Sequence, residues 1–353
     1  MEATESRPRS SHDDDGVWET KRQEIIQTLN KLPRVEGWND SGFCHYQGFW
    51  FSPVSLPGVM CFQQHFQAHD DDIILVSYPK SGTTWLKALV YSIVNRERSE
   101  LVGHELRQQK DQTEDTPLLK SNPHALVPIF EYQVYEGGVP REEYLLTGGK
   151  EGRPQRPRLF STHIPYASLA ESVKSSGCKI IYICRNPLDV VVSFWHFARK
   201  LPMWEGSWTI EKFVDRFCSG EFLFGPFADH LLGYWKESLD RQEKVLFLKY
   251  EDMKADSSSQ VKKLAEFVGF PFSEDEESRG VVDGILSMCS LGNLQGLEAN
   301  QPGNYTIPFI ENNTYFRKGE VGDWVNHLSP SLIEQLHRAI EDKLRLSGLT
   351  FEV

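Results

Sequence analysis

The sequence predicts an α/β fold: a single domain with a central parallel sheet flanked by helices and a P-loop-like anion-binding turn. Two observations carry that expectation. Short, wholly apolar runs are each followed by a polar turn and then by a stretch of helical period. Apolar runs without polar alternation belong to strands buried on both faces, as in a parallel sheet. At 353 residues the chain is also long enough to build one large core without disulfides or a structural metal.

The elements follow in order. Residues 1–16 are polar and charged without apolar periodicity and read as a disordered tail, leaving 17–353 as the domain. From Trp18, the residues Ile25, Ile26, Leu29 and Leu32 recur at helical spacing, with Pro33 just beyond. The first strand unit is Ile73–Val76, then the turn Ser77–Thr84, then a helix with Leu86, Leu89, Val90, Ile93 and Val94 on one face. The run 97–157 is irregular and rich in Gly and Pro, the composition of a lid or cover. Arg158–Ser161 reads as a strand leading to Thr162-His163-Ile164-Pro165, and Ser168 with Glu171 has capping-box spacing for the next helix. Ile180–Ile183 leads to Cys184-Arg185-Asn186-Pro187 and a helix from about 188 to 200. Val245–Leu248 leads to Tyr250 and a helix carrying Val261, Leu264, Ala265 and Val268, with Gly269 as its C-cap. The last helix has Ser329 as N-cap, Pro330 in its first turn, and Leu332, Leu336, Ile340 and Leu344 facing inward.

Right-handed crossovers place every strand-to-helix turn at one sheet edge, where ligands of such sheets bind. Lys80, His163, Arg185 and Tyr250 are thereby candidates for one pocket although far apart in sequence. Of these turns, Tyr78-Pro79-Lys80-Ser81-Gly82-Thr83-Thr84-Trp85 is the strongest signal. A Gly-Thr-Thr turn opening a helix offers free backbone N–H groups and the positive end of the helix dipole. Two hydroxyls and the Lys80 charge complete an anion cradle. Lys80 precedes Gly82, so this is not a Walker A loop, whose lysine follows the last glycine. Arg185, Ser193 on the following helix, and Arg317-Lys318-Gly319 supply cations and donors for a second phosphate.

Composition narrows the class. A net charge of −12 disfavours broad binding to nucleic acid or to anionic membranes. No apolar run approaches the ~18 residues of a membrane span, and the N-terminus lacks the apolar core of a secretory signal. Six scattered cysteines form no C-x-x-C pair, which fits a reduced, cytoplasmic protein without a zinc or redox site. His65 and His69, spaced i,i+4 beside Asp70-Asp71-Asp72, read as a solvated helix end rather than a metal face, and no metal is expected.

Taken together these residues resemble the cytosolic sulfotransferases. Y-P-K-S-G-T-T-W matches that family's 5′-phosphosulfate loop, Cys184 to Ser193 its 3′-phosphate segment, and Arg317-Lys318-Gly319-Glu320-Val321-Gly322-Asp323-Trp324 its R-K-G-x-x-G-D-W signature. Gln47-Gly48-Phe49-Trp50, Asn122-Pro123-His124 and Phe130-Glu131-Tyr132 look most like the plant branch. The resemblance implies PAPS (3′-phosphoadenosine 5′-phosphosulfate) as donor, PAP as product, and a small hydroxylated acceptor such as a flavonoid, steroid, jasmonate, glucosinolate precursor or other hormone precursor. It implies Lys80, Ser81, Gly82, Thr83 and Thr84 on the 5′-phosphosulfate and Trp85 on the adenine. Arg185, Ser193, Arg317, Lys318 and Gly319 would hold the 3′-phosphate, and Tyr250 would touch the nucleotide through its hydroxyl. Cys289-Ser290-Leu291 would lie along the adenine, with Leu291 where many members have an aromatic ring. His163 sits in the catalytic-histidine turn, with Ser161 where animal members often carry a lysine. As general base it would take the acceptor's proton, and Lys80 would neutralise the charge on the leaving bridging oxygen. Phe49, Trp50, Tyr132, Tyr166 and Phe197 are candidates for the acceptor wall. After Trp324 the family's usual pairing segment is absent apart from Glu334, so a monomer is expected. A kinase is disfavoured by the order of the loop lysine, and a nucleotide-binding scaffold without catalysis by the presence of both His163 and Lys80.

Overall fold

The computed structural model describes residues 11–38, 41–96, 116–145, 157–202 and 208–351. Its centre is a parallel sheet of β4 (Ile73–Ser77), β5 (Leu159–Thr162), β6 (Lys179–Cys184) and β7 (Val245–Lys249), in the order β5-β4-β6-β7. A small antiparallel sheet of β1 (Arg34–Val35), β2 (Phe43–Tyr46) and β3 (Phe49–Phe51) precedes it, and a hairpin of β8 (Tyr305–Ile307) and β9 (Ile310–Glu311) follows. The register sets Val76 against Thr162 and Tyr182, and Ile183 against Leu248, so the carboxyl ends of all four parallel strands meet at one edge.

Alternation along these strands builds two cores. Ile74, Val76, Ile180 and Tyr182 join one apolar cluster, while Ile73, Leu75, Ile181, Ile183 and Leu248 join another on the opposite face. Every residue of β4 is buried, which is why the run carries no polar alternation. The helices are α1 (Ser11–Leu29), α2 (Leu56–His65), α3 (Thr83–Asn95), α4 (Pro117–Lys120), α5 (Pro123–Leu126), α6 (Glu142–Leu145), α7 (Glu171–Ser175), α8 (Pro187–Ala198), α9 (Ile210–Ser219), α10 (Phe227–Asp240), α11 (Tyr250–Ala255), α12 (Ser257–Phe267), α13 (Glu274–Ser278), α14 (Val281–Met288), α15 (Leu291–Gly296) and α16 (Pro330–Leu344). The apolar face expected for α3 is buried as a set. The α16 face of Leu332, Leu336, Ile340 and Leu344 is buried too, and the Ser329 hydroxyl accepts from Leu332 N–H. Gly269, with φ +80°, closes α12: its N–H donates to Glu266 C=O, and Phe270 N–H donates to Ala265 C=O. That is a Schellman end.

Several expectations are revised. α1 starts at Ser11 and so takes in the end of the stretch read as tail. Ile25 and Leu29 are buried, but Ile26, one position round the helix from Ile25, is exposed. The helix after Ser168 begins at Glu171 with Ala170 as N-cap, because Tyr166–Ser168 already form a 3₁₀ turn. The Ser168 hydroxyl is buried without a partner and caps nothing. The helical run after β7 breaks at Asp256, whose carboxylate accepts from Ser259 N–H to start α12 afresh. Residues 116–145 are not an open cover: Leu118, Val127, Ile129, Phe130, Val134 and Tyr135 are all core. Gly148-Gly149-Lys150-Glu151-Gly152 lies outside the described residues. His65 turns into the fold, with Nδ1 3.2 Å from the Tyr135 hydroxyl and its ring 4.9 Å from Trp18. It is therefore parted from His69, which instead lies near Asp71 and Asp72, and Asp72 is engaged by Arg158 at 2.6 Å.

Candidate active site

All four strand ends open into one cavity of about 850 Å³. The turn after β4 lines it with Lys80, Gly82, Thr83, Thr84 and Trp85; β5 contributes His163, β6 Arg185, and β7 Tyr250. Ser193 and Phe197 from α8 join them, with Cys289, Ser290 and Leu291 from the α14–α15 turn and Arg317, Lys318 and Gly319 from the C-terminal loop. Tyr132 also lines the cavity. The architecture thus unites residues as far apart in sequence as Lys80 and Gly319, with parallel strands delivering their turns to the same edge.

The first turn is built around a close approach. Gly82 has φ +111°, and a Cβ there would lie 2.8 Å from Tyr250 Cδ2 and 3.2 Å from Ile183 Cδ1. Lys80, without a glycine's freedom, also has positive φ, +71°. Its ammonium lies 3.9 Å above the Phe197 ring. Burial, then Arg317, Arg185 and Lys200, push its pKa down to about 7. An anion in the cavity reverses that neighbourhood and favours the charged lysine. The two threonines divide their work. Thr83 Oγ1 is 2.5 Å from Ser77 Oγ and ties the turn to β4, whereas Thr84 Oγ1 is 3.1 Å from His124 Nε2. Ser81 is fully buried beneath the turn, outside the cavity wall, and its hydroxyl has no hydrogen-bond partner among the described residues.

A second group of cations is held by two buried carboxylates. Asp189, on α8, lies 3.2 Å from Arg185 Nη2 and accepts from Gly322 N–H at 2.8 Å and Trp324 N–H at 3.1 Å. It therefore joins the β6 turn to the C-terminal loop. Asp323 accepts from Arg317 at 2.5 Å and Lys318 at 2.6 Å. Burial pulls the Asp323 pKa up, but Lys318, Arg317 and Asn326 outweigh it and hold the group below the ordinary carboxylate range. Arg185 lies 4.7 Å over the Tyr250 ring, whose hydroxyl donates to Gly319 C=O at 2.8 Å. That hydroxyl hydrogen is thus spent on the protein; Tyr250 supports the arginine and the glycine instead of reaching a ligand with it. The Nε atoms of Arg185 and Arg317 are buried without a partner. Lys80, Arg185, Lys200, Lys254, Arg317 and Lys318 line the cavity, and among the described residues no Asp or Glu does. This wall suits a polyanion.

His163 is fixed in one tautomer. Its Nδ1 is 2.8 Å from Ser77 C=O, which only accepts, so Nδ1 carries the proton. Nε2, with its lone pair, has no protein partner among the described residues. Burial, partly offset by the Ser77 hydrogen bond, drives the His163 pKa down to about 3. The turn is braced from behind. Glu131, fully buried in a π-helical turn (Phe130–Val134), accepts from His163 N–H at 2.7 Å and from the Thr162 hydroxyl at 2.8 Å. His230 Nε2 donates to His163 C=O at 2.9 Å, and its Nδ1 accepts from Tyr182.

The apolar wall differs from the one expected. Trp38, Phe43, Phe194, Leu223, Phe224 and Phe309 line the cavity. Phe49, Trp50 and Tyr166 do not. Phe49 and Trp50 belong to β3, where Trp50 packs on His45 and bridges to Leu223. Tyr166 packs 5.4 Å from Tyr234 and hydrogen-bonds Arg241. Nothing in an isolated aromatic residue distinguishes core from wall. Sequence reasoning also misses Lys87, which reads as an ordinary helix lysine, and His124, whose N-P-H setting carries only a likeness to the plant branch.

The sulfotransferase domain family matches residues 70–348 of this chain. Cytosolic sulfotransferase 15 of Arabidopsis thaliana is 44% identical over 332 residues, covering 94% of this chain and 88% of that protein. The crystal structure of an Arabidopsis thaliana chain provisionally described as a steroid sulphotransferase is 38% identical, with a TM-score of 0.70 over 98% of this chain and 100% of that one. Mouse sulfotransferase SULT7A1 complexed with PAP is 28% identical, with a TM-score of 0.64 over 86% of this chain and 94% of that one.

Proposed function

This chain belongs to the sulfotransferase family, and from that premise we propose how its own residues move a sulfuryl group from PAPS to a small acceptor. The enzyme class and the donor follow from the family and from relatives named cytosolic sulfotransferases. Among the described residues no helix is long and apolar enough to cross a membrane.

The residues present fit PAPS. The lining is cationic and free of carboxylates among the described residues, and two buried guanidinium nitrogens lack partners. Lys80, Gly82, Thr83 and Thr84 would hold the 5′-phosphosulfate, with the opening N–H groups of α3. Arg185, Ser193, Arg317, Lys318 and Gly319 would hold the 3′-phosphate, with Trp85, Cys289 and Leu291 along the adenine. PAPS, when bound, supplies the sulfuryl group. His163 Nε2 takes the acceptor hydroxyl's proton as that oxygen bonds to sulfur, and Lys80 donates to the bridging oxygen that departs with PAP.

The single observation that carries this reading is the His163 ring, pinned through Nδ1 to Ser77 so that Nε2 is the free base in the cavity that Lys80 also lines. The aromatic wall and the absence of lining acids among the described residues give the acceptor's character: apolar, hydroxylated, and neutral or anionic. Flavonoid, steroid and hydroxyjasmonate skeletons all meet that description. The test is sulfation of a panel of hydroxylated plant metabolites with PAPS, read by mass spectrometry, including pairs that differ only by an added ammonium group. Sulfated product from neutral phenols or alcohols and little from their cationic partners is expected. Preference for the cationic partner, or no product from any neutral compound, would overturn the acceptor assignment.

A further inference from the structure

The geometry points to Lys87 and His124 as positioning residues that hold the Thr84 hydroxyl as a hydrogen-bond donor toward the anion in the cavity. This rests on the sulfotransferase reading of the site.

The chain of contacts runs through three side chains on two elements. Lys87, one turn after Thr84 on α3, is fully buried, and its Nζ lies 2.8 Å from His124 Nδ1. His124 is 3% exposed, on α5, and its Nε2 lies 3.1 Å from Thr84 Oγ1. The direction of each bond follows from what each group can do. An ammonium only donates, so His124 Nδ1 must accept. Burial, then Lys87, hold the His124 pKa well below the ordinary range, so the ring is neutral with one proton. That proton sits on Nε2 and is donated to Thr84 Oγ1. The Thr84 oxygen is thereby occupied as an acceptor, and its own hydrogen is released toward the cavity that Thr84 lines. Thr83 is engaged differently, its Oγ1 2.5 Å from Ser77 Oγ on β4.

The His124 ring is held for the purpose. Asn122 Oδ1 accepts from His124 N–H at 2.8 Å, Asn122 Nδ2 donates to Asn300 at 2.7 Å, and the ring packs 4.2 Å from Tyr315. Burying a lysine behind a helix is costly, and an apolar pair of similar shape would pack more cheaply. The fold accepts that cost, and what the lysine secures is the tautomer of His124. Burial pushes the Lys87 pKa down to about 7, and the Glu131 carboxylate acts against that and favours the charged form.

The experiment is a double-mutant cycle on PAP binding by titration calorimetry, with the full chain. Thr84→Val removes the hydroxyl at constant shape. Lys87→Met with His124→Phe removes donor and acceptor together, so that no buried group is left unpaired. Each is expected to weaken PAP by about tenfold, the worth of one hydrogen bond to a charged group, and the triple variant to be no weaker than Thr84→Val alone. Losses that multiply, or a Lys87→Met/His124→Phe protein that binds PAP like wild type, would overturn the inference. Should that double variant not fold, His124→Gln decides. Its amide can accept from Lys87 and donate to Thr84, so near-wild-type affinity supports the relay, and a tenfold loss in a folded protein overturns it. A wild-type chain that binds no PAP would refute the donor reading itself, and the inference with it, so the two failures are told apart.

Discussion

Gly82→Ala tests whether the phosphosulfate turn is built on a close approach. Two costs add. The φ of +111° places an L side chain in the left-handed region, at about 1–2 kcal/mol. The new Cβ would also lie 2.8 Å from the Tyr250 ring, an overpacking that costs about 1–3 kcal/mol. The ring cannot swing away freely, since its hydroxyl holds Gly319 and its face supports Arg185. Any shift therefore reaches two proposed phosphate contacts. The expected outcome is a destabilisation of about 2–5 kcal/mol by denaturant unfolding with at least tenfold weaker PAP binding. Gly303→Ala is the control: φ is +86° but the space around it is open, so it should cost only the conformational part, about 1–2 kcal/mol, and leave PAP binding unchanged. Equal effects of the two substitutions would refute the close-approach argument.

Lys80→Gly should all but abolish turnover while leaving the melting temperature unchanged or higher, because the residue has φ +71° and its charge is buried; a melting temperature several degrees lower would contradict this. Arg185→Ala should weaken PAP by about one to two orders of magnitude, as expected for a lost charged contact, and barely affect an analogue without the 3′-phosphate; equal losses would give Arg185 a structural role. Stability should fall on acidification. His163 and His230 sit in the fold with pKa values near 3 and 4 against an ordinary 6.5, so the unfolded chain takes up more protons below 6.5. The stabilisation from their neutral burial is complete above about 6.5 and is lost as pH drops toward those values, and His163→Gln should flatten part of that loss in unfolding curves measured from pH 7 to 4.

The sheet was legible because β4, β6 and β7 are short apolar runs bounded by turns, a pattern with few other uses. The anion cradle was legible because Lys80, Gly82 and Thr84 lie in one turn, where local geometry decides direction. Legibility ended where tertiary packing chooses between equal local options. Phe49 and Phe197 are both aromatic, and only the fold turns one into β3 and the other under Lys80. Ser168 and Glu171 had the spacing of a cap but lost it to a 3₁₀ turn. Nothing local sets Lys87 apart from other helix lysines, and its place in the site depends on His124 arriving from a segment that sequence alone read as irregular.

The central claim is that His163 is the base for sulfuryl transfer. It is tested most directly by measuring, for wild type and His163→Ala together, kcat for PAPS-dependent sulfation and the dissociation constant for PAP. The account predicts a fall in kcat of at least ~10²-fold, the span of a positioned base, with PAP affinity near wild type. Turnover within a few fold of wild type would assign the proton to another group, and a joint collapse of turnover and PAP binding would make His163 a support of the fold.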